Sequence, residues 1–331
     1  LAVQLFAGFC RNGFFEEFAM LSREAAALAV AAHQADTTIR PIALETPLVH
    51  APVFSRRHGA EVWFKLENEQ VTGSFKLRGA ANKLLALSPA ERARGVVAAS
   101  SGNHGAAVSY AAAQLGVPVR IYVPDQVAPV KAAKMRRYGA ELVLTGDDSL
   151  VAELAARAWA VAHGLPYISP YNDRAVVAGQ GSCGVELLRQ RPALETVLIA
   201  VGGGGLIGGM AAVLKAANPA VRIIGCQPEN SPVMARSVAA GQLLDLMSLP
   251  TLSDGTAGGI EAGAFTFGLC RELVDEWVLV SEAEIAAALD EVAAQGMIVE
   301  GAAGVAVAAL GKAASVAGRQ VAVVICGGNR G

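Results

Sequence analysis

From residue 95 onward, short apolar runs alternate with longer stretches whose apolar residues recur every three to four positions. Short runs bounded by turn residues suit buried strands, and the longer periodic stretches suit amphipathic helices. Strands are therefore predicted over 95–100, 119–124, 141–145, 167–169, 196–201 and 221–227. Helices are predicted over 106–115, 130–138, 148–163, 206–217 and, opened by Gly179-Gln180-Gly181, as far as Arg189. Upstream, 22–35 is Ala-rich and helical with Ser22 placed as N-cap. The stretch 61–67 alternates as a strand, and a helix beginning near Lys76 runs to Leu87. A last buried strand covers 321–326 and runs into Gly327-Gly328-Asn329. Strands alternating with helices at this spacing predict an α/β fold whose parallel sheets are covered on both faces. Ligands of such folds sit at the carboxyl ends of strands. The unusual loops after Leu66, Ala99 and Val201 all fall at such ends, so they are expected to face one crevice.

Composition narrows the picture. The 331 residues are 53% hydrophobic and 17% charged, with 36 glycines, which suits a large core with many tight turns. Net charge is −2 and no Lys/Arg block stands out, which argues against a nucleic-acid surface. Glycine clusters interrupt the longest apolar stretches, and none reads as a membrane span. The five cysteines (Cys10, Cys183, Cys226, Cys270, Cys326) show no C-x-x-C spacing and are odd in number. That pattern fits a reducing compartment, and a cytoplasmic location is expected. Residues 1–19 are apolar and aromatic but lack a basic start and run into Glu16-Glu17, a poor signal peptide. They are expected to be an extension outside the fold.

Candidate chemistry lies in the loops. Lys76 follows the turn Gly73-Ser74 at a strand-to-helix junction, where its amine can face a cleft and form a Schiff base with an aldehyde cofactor. Taken alone, it reads first as an ordinary helix lysine. Gly202, Gly203, Gly204, Gly205 and Leu206 join a buried strand to a helix, so that backbone N–H groups and the helix N-terminus can surround a phosphate. A plain tight turn would need only one or two glycines. Ser100-Ser101-Gly102-Asn103-His104-Gly105 is a dense set of donors before a helix, suited to a substrate carboxylate, though Asn103 and His104 could also be a turn residue and a loop imidazole. Cys326 stands at a strand's carboxyl end, where a buried core cysteine is the ordinary alternative.

Together these loops resemble the fold-type II pyridoxal-phosphate enzymes, in particular the serine/threonine dehydratase and serine racemase group. The resemblance rests on Lys65-Leu66-Glu67-Asn68 with the run from Gly73 to Ala80, on Ser101-Gly102-Asn103-His104, and on the tetraglycine. Asp254-Gly255-Thr256-Ala257-Gly258-Gly259 and Cys326-Gly327-Gly328-Asn329 follow in the same order, so it spans roughly 38–329. It implies a tryptophan synthase β-like architecture of two parallel-sheet, three-layer domains: a large one from 20–94 plus 173–331, and a small one over 95–172. It implies pyridoxal 5′-phosphate as cofactor, joined to Lys76, with Asn103 on its ring hydroxyl. The backbone of Gly202, Gly203, Gly204, Gly205 and Leu206 would hold its phosphate, and Cys326 would face its pyridine nitrogen. Ser100, Ser101, Gly102, Asn103 and His104 would clamp the substrate carboxylate. The implied reaction is dehydration and deamination of L-threonine, L-serine or a related β-hydroxy amino acid to a 2-oxo acid and ammonia, with the freed Lys76 amine as base.

Ser101 also matches the second proton-transfer serine of serine racemases, which makes racemization the alternative on the same scaffold. The run from Gly258 to Gly263 with Phe265-Thr266-Phe267 resembles dehydratases of hydroxyectoine breakdown, which widens the range of substrates. Where racemase-like relatives hold a divalent cation, this chain has Gln227, Ser231 and Val233, so no metal site is expected. As given, the chain ends just past Asn329, and a C-terminal regulatory domain is not expected. A homodimer or homotetramer is expected from the resemblance. Two rivals of other classes remain. Gly203, Gly205 and Gly208 with Glu229 also fit a nicotinamide dinucleotide fingerprint, and Ser74 or Ser101 with Lys76 could form a Ser/Lys amidohydrolase pair. A non-catalytic amino-acid sensor would keep the pocket without turnover.

Overall fold

The computed structural model describes residues 21–314 and 316–329. The stretch 1–19, with its Cys10, lies outside them. In chain order the first elements are α1 (Arg23–Thr38), β1 (Leu48–His50), α2 (Pro52–His58), β2 (Glu61–Leu66), α3 (Lys76–Ala86) and α4 (Pro89–Arg94). Next come β3 (Val96–Ala99), α5 (Asn103–Leu115), β4 (Val119–Val123), α6 (Pro129–Arg137), β5 (Glu141–Leu144) and α7 (Ser149–His163). Then follow α8 (Arg174–Gln190), β6 (Thr196–Ala200), α9 (Gly205–Ala217), β7 (Arg222–Pro228) and α10 (Val233–Ala240). The chain closes through α11 (Phe265–Leu273), β8 (Glu276–Val280), α12 (Glu282–Ala294), α13 (Gly301–Ala308) and β9 (Gln320–Ile325).

Two sheets result. The larger has the order β1-β2-β9-β6-β7-β8, and the smaller is β3-β4-β5. Every strand pair is parallel except β1 with β2. The central strands β9 and β6 are apolar without alternation, as expected when helices cover both faces. Because β2, β9 and β6 are adjacent and parallel, the segments leaving their carboxyl ends emerge side by side. Those segments carry Lys76, Cys326 and the tetraglycine. The small sheet shares its core with residues outside its own stretch of chain: Ile39, Leu77, Ala81 and Leu84 pack with Val96, Ala98, Ile121 and Val123.

Two of these readings change, and one short helix is added. Helix α8 begins at Arg174, five residues before the glycines expected to open it, because the Asp173 carboxylate accepts from the Ala175 and Val176 amides. Gly179 and Gly181 lie within the helix as contact points. A Cβ at Gly179 would meet the Arg78 carbonyl at 2.6 Å, and one at Gly181 the Ala32 methyl at 2.7 Å. Residues 167–169 form one bridge, Val97 to Tyr167, not a strand. Residues 52–58 are a short helix opened by Pro52 and closed by Gly59 in the left-handed region.

Behind the lysine helix lies a buried set of charges. Lys65, Glu67, Arg78 and Glu186 are all fully buried. Arg78 donates to Glu67 Oε2 at 2.7 Å and Oε1 at 2.8 Å, and to Glu186 Oε1 at 2.6 Å and Oε2 at 2.8 Å. Lys65 and Arg40 also donate to Glu186. Burial works against the Glu186 charge, yet the cations of Arg78 and Lys65 hold its carboxyl well below the usual range. Removing one member of such a set strands the others in a low-dielectric interior. Glu186→Gln is expected to cost about 3–5 kcal/mol in chemical unfolding, by comparison with buried pairs elsewhere. A loss below about 1 kcal/mol would show that the network does not hold α3 in place.

Candidate active site

The loops from three strand ends do converge. A cleft of about 590 Å³ is lined by Lys76, by Ser100, Ser101, Gly102, Asn103 and His104, and by Gly202, Gly203, Gly204, Gly205 and Leu206, with Cys326 also on its wall. Every residue that the resemblance assigns to the cofactor or the substrate therefore borders one space. Their positions follow from local chemistry. Lys76 is the first residue of α3, and the segment before it is stitched to the end of β9: Phe75 N–H donates to Cys326 O at 3.1 Å, and Gly328 N–H to Gly73 O at 3.0 Å. Gly73 has φ 79°, and a Cβ there would meet the Asn329 amide at 2.6 Å, so this junction requires glycine. Asn103 opens α5, three residues earlier than the sequence pattern predicts, which places Asn103 and His104 on a helical first turn.

Lys76 Nζ donates to Pro170 O at 2.9 Å. Burial pulls the amine down to about 8, against the pull of Cys326 and Glu300. His104 donates through Nε2 to Ile168 O at 2.8 Å, and burial together with the Lys76 charge lowers its ring to about 3, so it is neutral. Burial, reinforced by Glu300, raises the Cys326 thiol well above its ordinary value, so it too is neutral.

Glu300 escaped the sequence reading. It is buried, it lines the cleft, and its two carboxyl oxygens accept from the Asn103 amide nitrogen, at 3.0 and 2.8 Å. Burial pushes its carboxyl up to about 7 despite those bonds. Tyr171 was missed as well. It sits against the tetraglycine, and its hydroxyl accepts from the Glu261 amide at 2.9 Å. No periodicity marks either residue. Glu300 could have been suspected as an acidic residue preceding the small-residue helix at 301–308.

The glycine loop fits an anion. Gly204 has φ 83°; a Cβ on Gly203 would run into the Tyr171 ring, and one on Gly202 would come within 3.1 Å of Thr256 Cα. Among the described residues none accepts from the Gly202, Gly203 or Gly204 amides, and the first turn of α9 adds further donors. A cradle of backbone donors that side chains would fill, opposite a lysine amine near neutrality, suits a phosphorylated aldehyde.

The rival readings lose their residues. Glu229 is exposed beside Lys312 and is not on the cleft wall. Lys76 hydrogen-bonds Pro170, not Ser74 or Ser101.

Comparison with known proteins agrees with this geometry. The profile of the family described as "Pyridoxal-phosphate dependent enzyme" matches residues 39–327. The chain belongs to that family. Among curated relatives of this pyridoxal-phosphate enzyme, the L-threonine ammonia-lyase of Thermotoga maritima is 42% identical over 297 residues, covering 89% of this chain and 74% of the relative. Among solved structures, the processed threonine deaminase isoform 2 of Solanum lycopersicum has a TM-score of 0.89 at 34% identity, over 94% of this chain and 91% of that one. Maize serine racemase has a TM-score of 0.87 at 31% identity, over 91% and 93%. The fold is thus that of the fold-type II enzymes. Among the described residues no helix is long and apolar enough to cross a membrane.

Two outcomes follow from the site. Gly203→Ala is expected to displace Tyr171 and weaken cofactor affinity by roughly tenfold or more, read by fluorescence titration of cofactor-free protein. Unchanged affinity would remove the cradle from the argument. For Lys76, burial favours the neutral amine, so its contribution to folding is fullest above 10.5 and is lost as pH falls through about 8. Lys76→Met is therefore expected to raise the thermal midpoint of cofactor-free protein at pH 7 by a few degrees, about 1–3 kcal/mol, with the gain vanishing at high pH.

Proposed function

We propose that the protein is a pyridoxal-phosphate-dependent ammonia-lyase that converts L-threonine, L-serine or a related β-hydroxy amino acid to a 2-oxo acid and ammonia. The observation that carries this reading is a buried lysine amine, near 8, in the same cleft as a glycine-lined anion cradle. The relative named L-threonine ammonia-lyase makes L-threonine the first substrate to try.

The residues divide the work. Lys76 would hold the cofactor through its amine. The backbone amides from Gly202 to Leu206 would take the phosphate, Asn103 would bond the ring hydroxyl, and Cys326 would meet the ring nitrogen with a neutral thiol. When bound, pyridoxal phosphate supplies an electron sink for negative charge at the substrate α-carbon, and a neutral partner at its nitrogen makes that sink a modest one. Lys76 Nζ would act as the base at the substrate α-carbon; an amine near 8 supplies its unprotonated form at little cost near neutral pH. Ser100, Ser101 and the amides at the start of α5 would bind the substrate carboxylate, as helix N-termini do. His104, neutral and tied to Ile168, orients the loop and adds no positive charge.

Racemization is the second reading. Ser101 stands on the cleft wall, where a second proton-handling group would be needed. On the same footing we propose a cytoplasmic homodimer or homotetramer, in which 95–172 moves as a small domain against 20–94 plus 173–331 when substrate binds.

Borohydride reduction of cofactor-loaded protein followed by peptide mapping is expected to place the tag on Lys76. Ammonia release is expected from L-threonine or L-serine, with D-serine and 3-hydroxyaspartate as comparisons, and a loss of roughly 1,000-fold or more in Lys76→Ala. A tag elsewhere, or no ammonia from any of the four, defeats the assignment.

A further inference from the structure

A hydrogen-bonded chain enters the cleft from α6. Lys134 Nζ donates to Thr72 O at 2.9 Å and to Asn329 Oδ1 at 2.7 Å. The Asn329 amide nitrogen donates to Thr72 O at 2.9 Å and to Asn103 Oδ1 at 2.7 Å. The Asn103 amide nitrogen donates in turn to both oxygens of Glu300. The four side chains come from α6, the segment after β9, the start of α5 and the start of α13, so the chain ties the small-sheet region to the large sheet.

The direction of this chain is dictated by chemistry. A carboxamide can face either way, and its two ends differ only in being donor or acceptor. An ammonium group has donors and no acceptor, so Asn329 must turn Oδ1 towards Lys134. Its nitrogen is then committed to Thr72 and Asn103, and Asn103 must present Oδ1 to it. Nothing is left for the other end of Asn103 except to point its N–H groups into the cleft. Glu300 alone could not enforce this, because a carboxyl that gains a proton becomes a donor and would accept either face of the amide. The lysine end is independent of that change, as is the Thr72 carbonyl, which accepts from Lys134 and from the Asn329 amide nitrogen and so holds both in register.

We propose that Lys134 is a positioning residue that, through Asn329, locks the Asn103 amide with its donors facing the cofactor site. This rests on the reading of the cleft as a pyridoxal-phosphate site. Burial lowers the Lys134 amine, and the Glu300 charge opposes that. The amine lies half-buried against Thr72 and Asn329, so the lock requires α6 to be seated there.

The test uses the full-length, cofactor-loaded chain and three variants: Lys134→Met, which removes the donor; Asn329→Leu, which keeps the charge and cuts the chain; and the double variant. Two quantities are read, the pH midpoint of the bound cofactor's visible absorbance and kcat/KM for ammonia release. A donor withdrawn from the ring hydroxyl disfavours its anionic form, so each single variant is expected to raise the midpoint and to lower kcat/KM by roughly tenfold, mostly in kcat. The double variant is expected to match Asn329→Leu alone, because the second cut falls on a chain already broken. Lys134→Arg, with donors of its own, is expected to recover part of the loss. The proposal is overturned if Lys134→Met leaves the midpoint in place, if only Lys134→Met moves it (a through-space charge effect), or if the two losses add. A wild-type chain that binds the cofactor but releases no ammonia would defeat the lyase assignment and leave the spectral comparison intact.

Discussion

The Arg78 guanidinium fixes the geometry on which the site depends. Two residues beyond Lys76 on the same helix, it is fully buried and shared between Glu67, just past β2, and Glu186, near the end of α8. A charge can stay in such a place only if every hydrogen-bonding direction is met, so the pairs tolerate little movement. With Arg78 pinned, the first turn of α3 cannot rotate, and Lys76 is held over the cleft. The close approach of α8 at Gly179 adds a steric stop from the other side. The reactive amine is therefore oriented by interactions that never touch it.

The same low-dielectric surroundings tune the groups that do face the cleft. Burial moves Lys76 and His104 towards their neutral forms and pushes Glu300 and Cys326 the same way, since each would otherwise carry an unshared charge. The result is a site poor in fixed charge, in which a lysine amine can stand unprotonated near neutral pH beside a neutral thiol. An anion in the glycine loop would be met by backbone dipoles instead of cationic side chains, and these involve no proton uptake or release. A buried ionizable amine is a burden on the cofactor-free fold, so at Lys76 stability is opposed to the chemistry proposed for it.

How much was legible follows from where each signal lives. The β6 and β9 strands are continuous apolar runs, and a segment buried on both faces can hardly look otherwise, so their reading from sequence was straightforward. The glycines at 202–205 were equally plain, because backbone donors can crowd an anion only where side chains are absent. Gly179 and Gly181 misled for a related reason: glycine serves a helix start and a close helix contact alike, and only the partner helix shows which. The small unit expected from the resemblance spans 95–172, and the core around its sheet also takes in Leu77 and Leu84 from α3. Chain continuity does not report which core a helix face joins.

By itself, the sequence determined the alternation of strands and helices, the parallel sheets that follow from it, and the residue types able to carry the chemistry, because periodicity and glycine placement act within a few residues. The tertiary structure alone decided the rest. It brought Glu300 against Asn103 from 197 residues away, set Tyr171 under the tetraglycine, and put Lys134 at the head of an amide chain from another helix. A pKa near neutrality and the facing of a carboxamide depend on what surrounds a group in space. That environment is assembled from distant segments, and no local pattern encodes it.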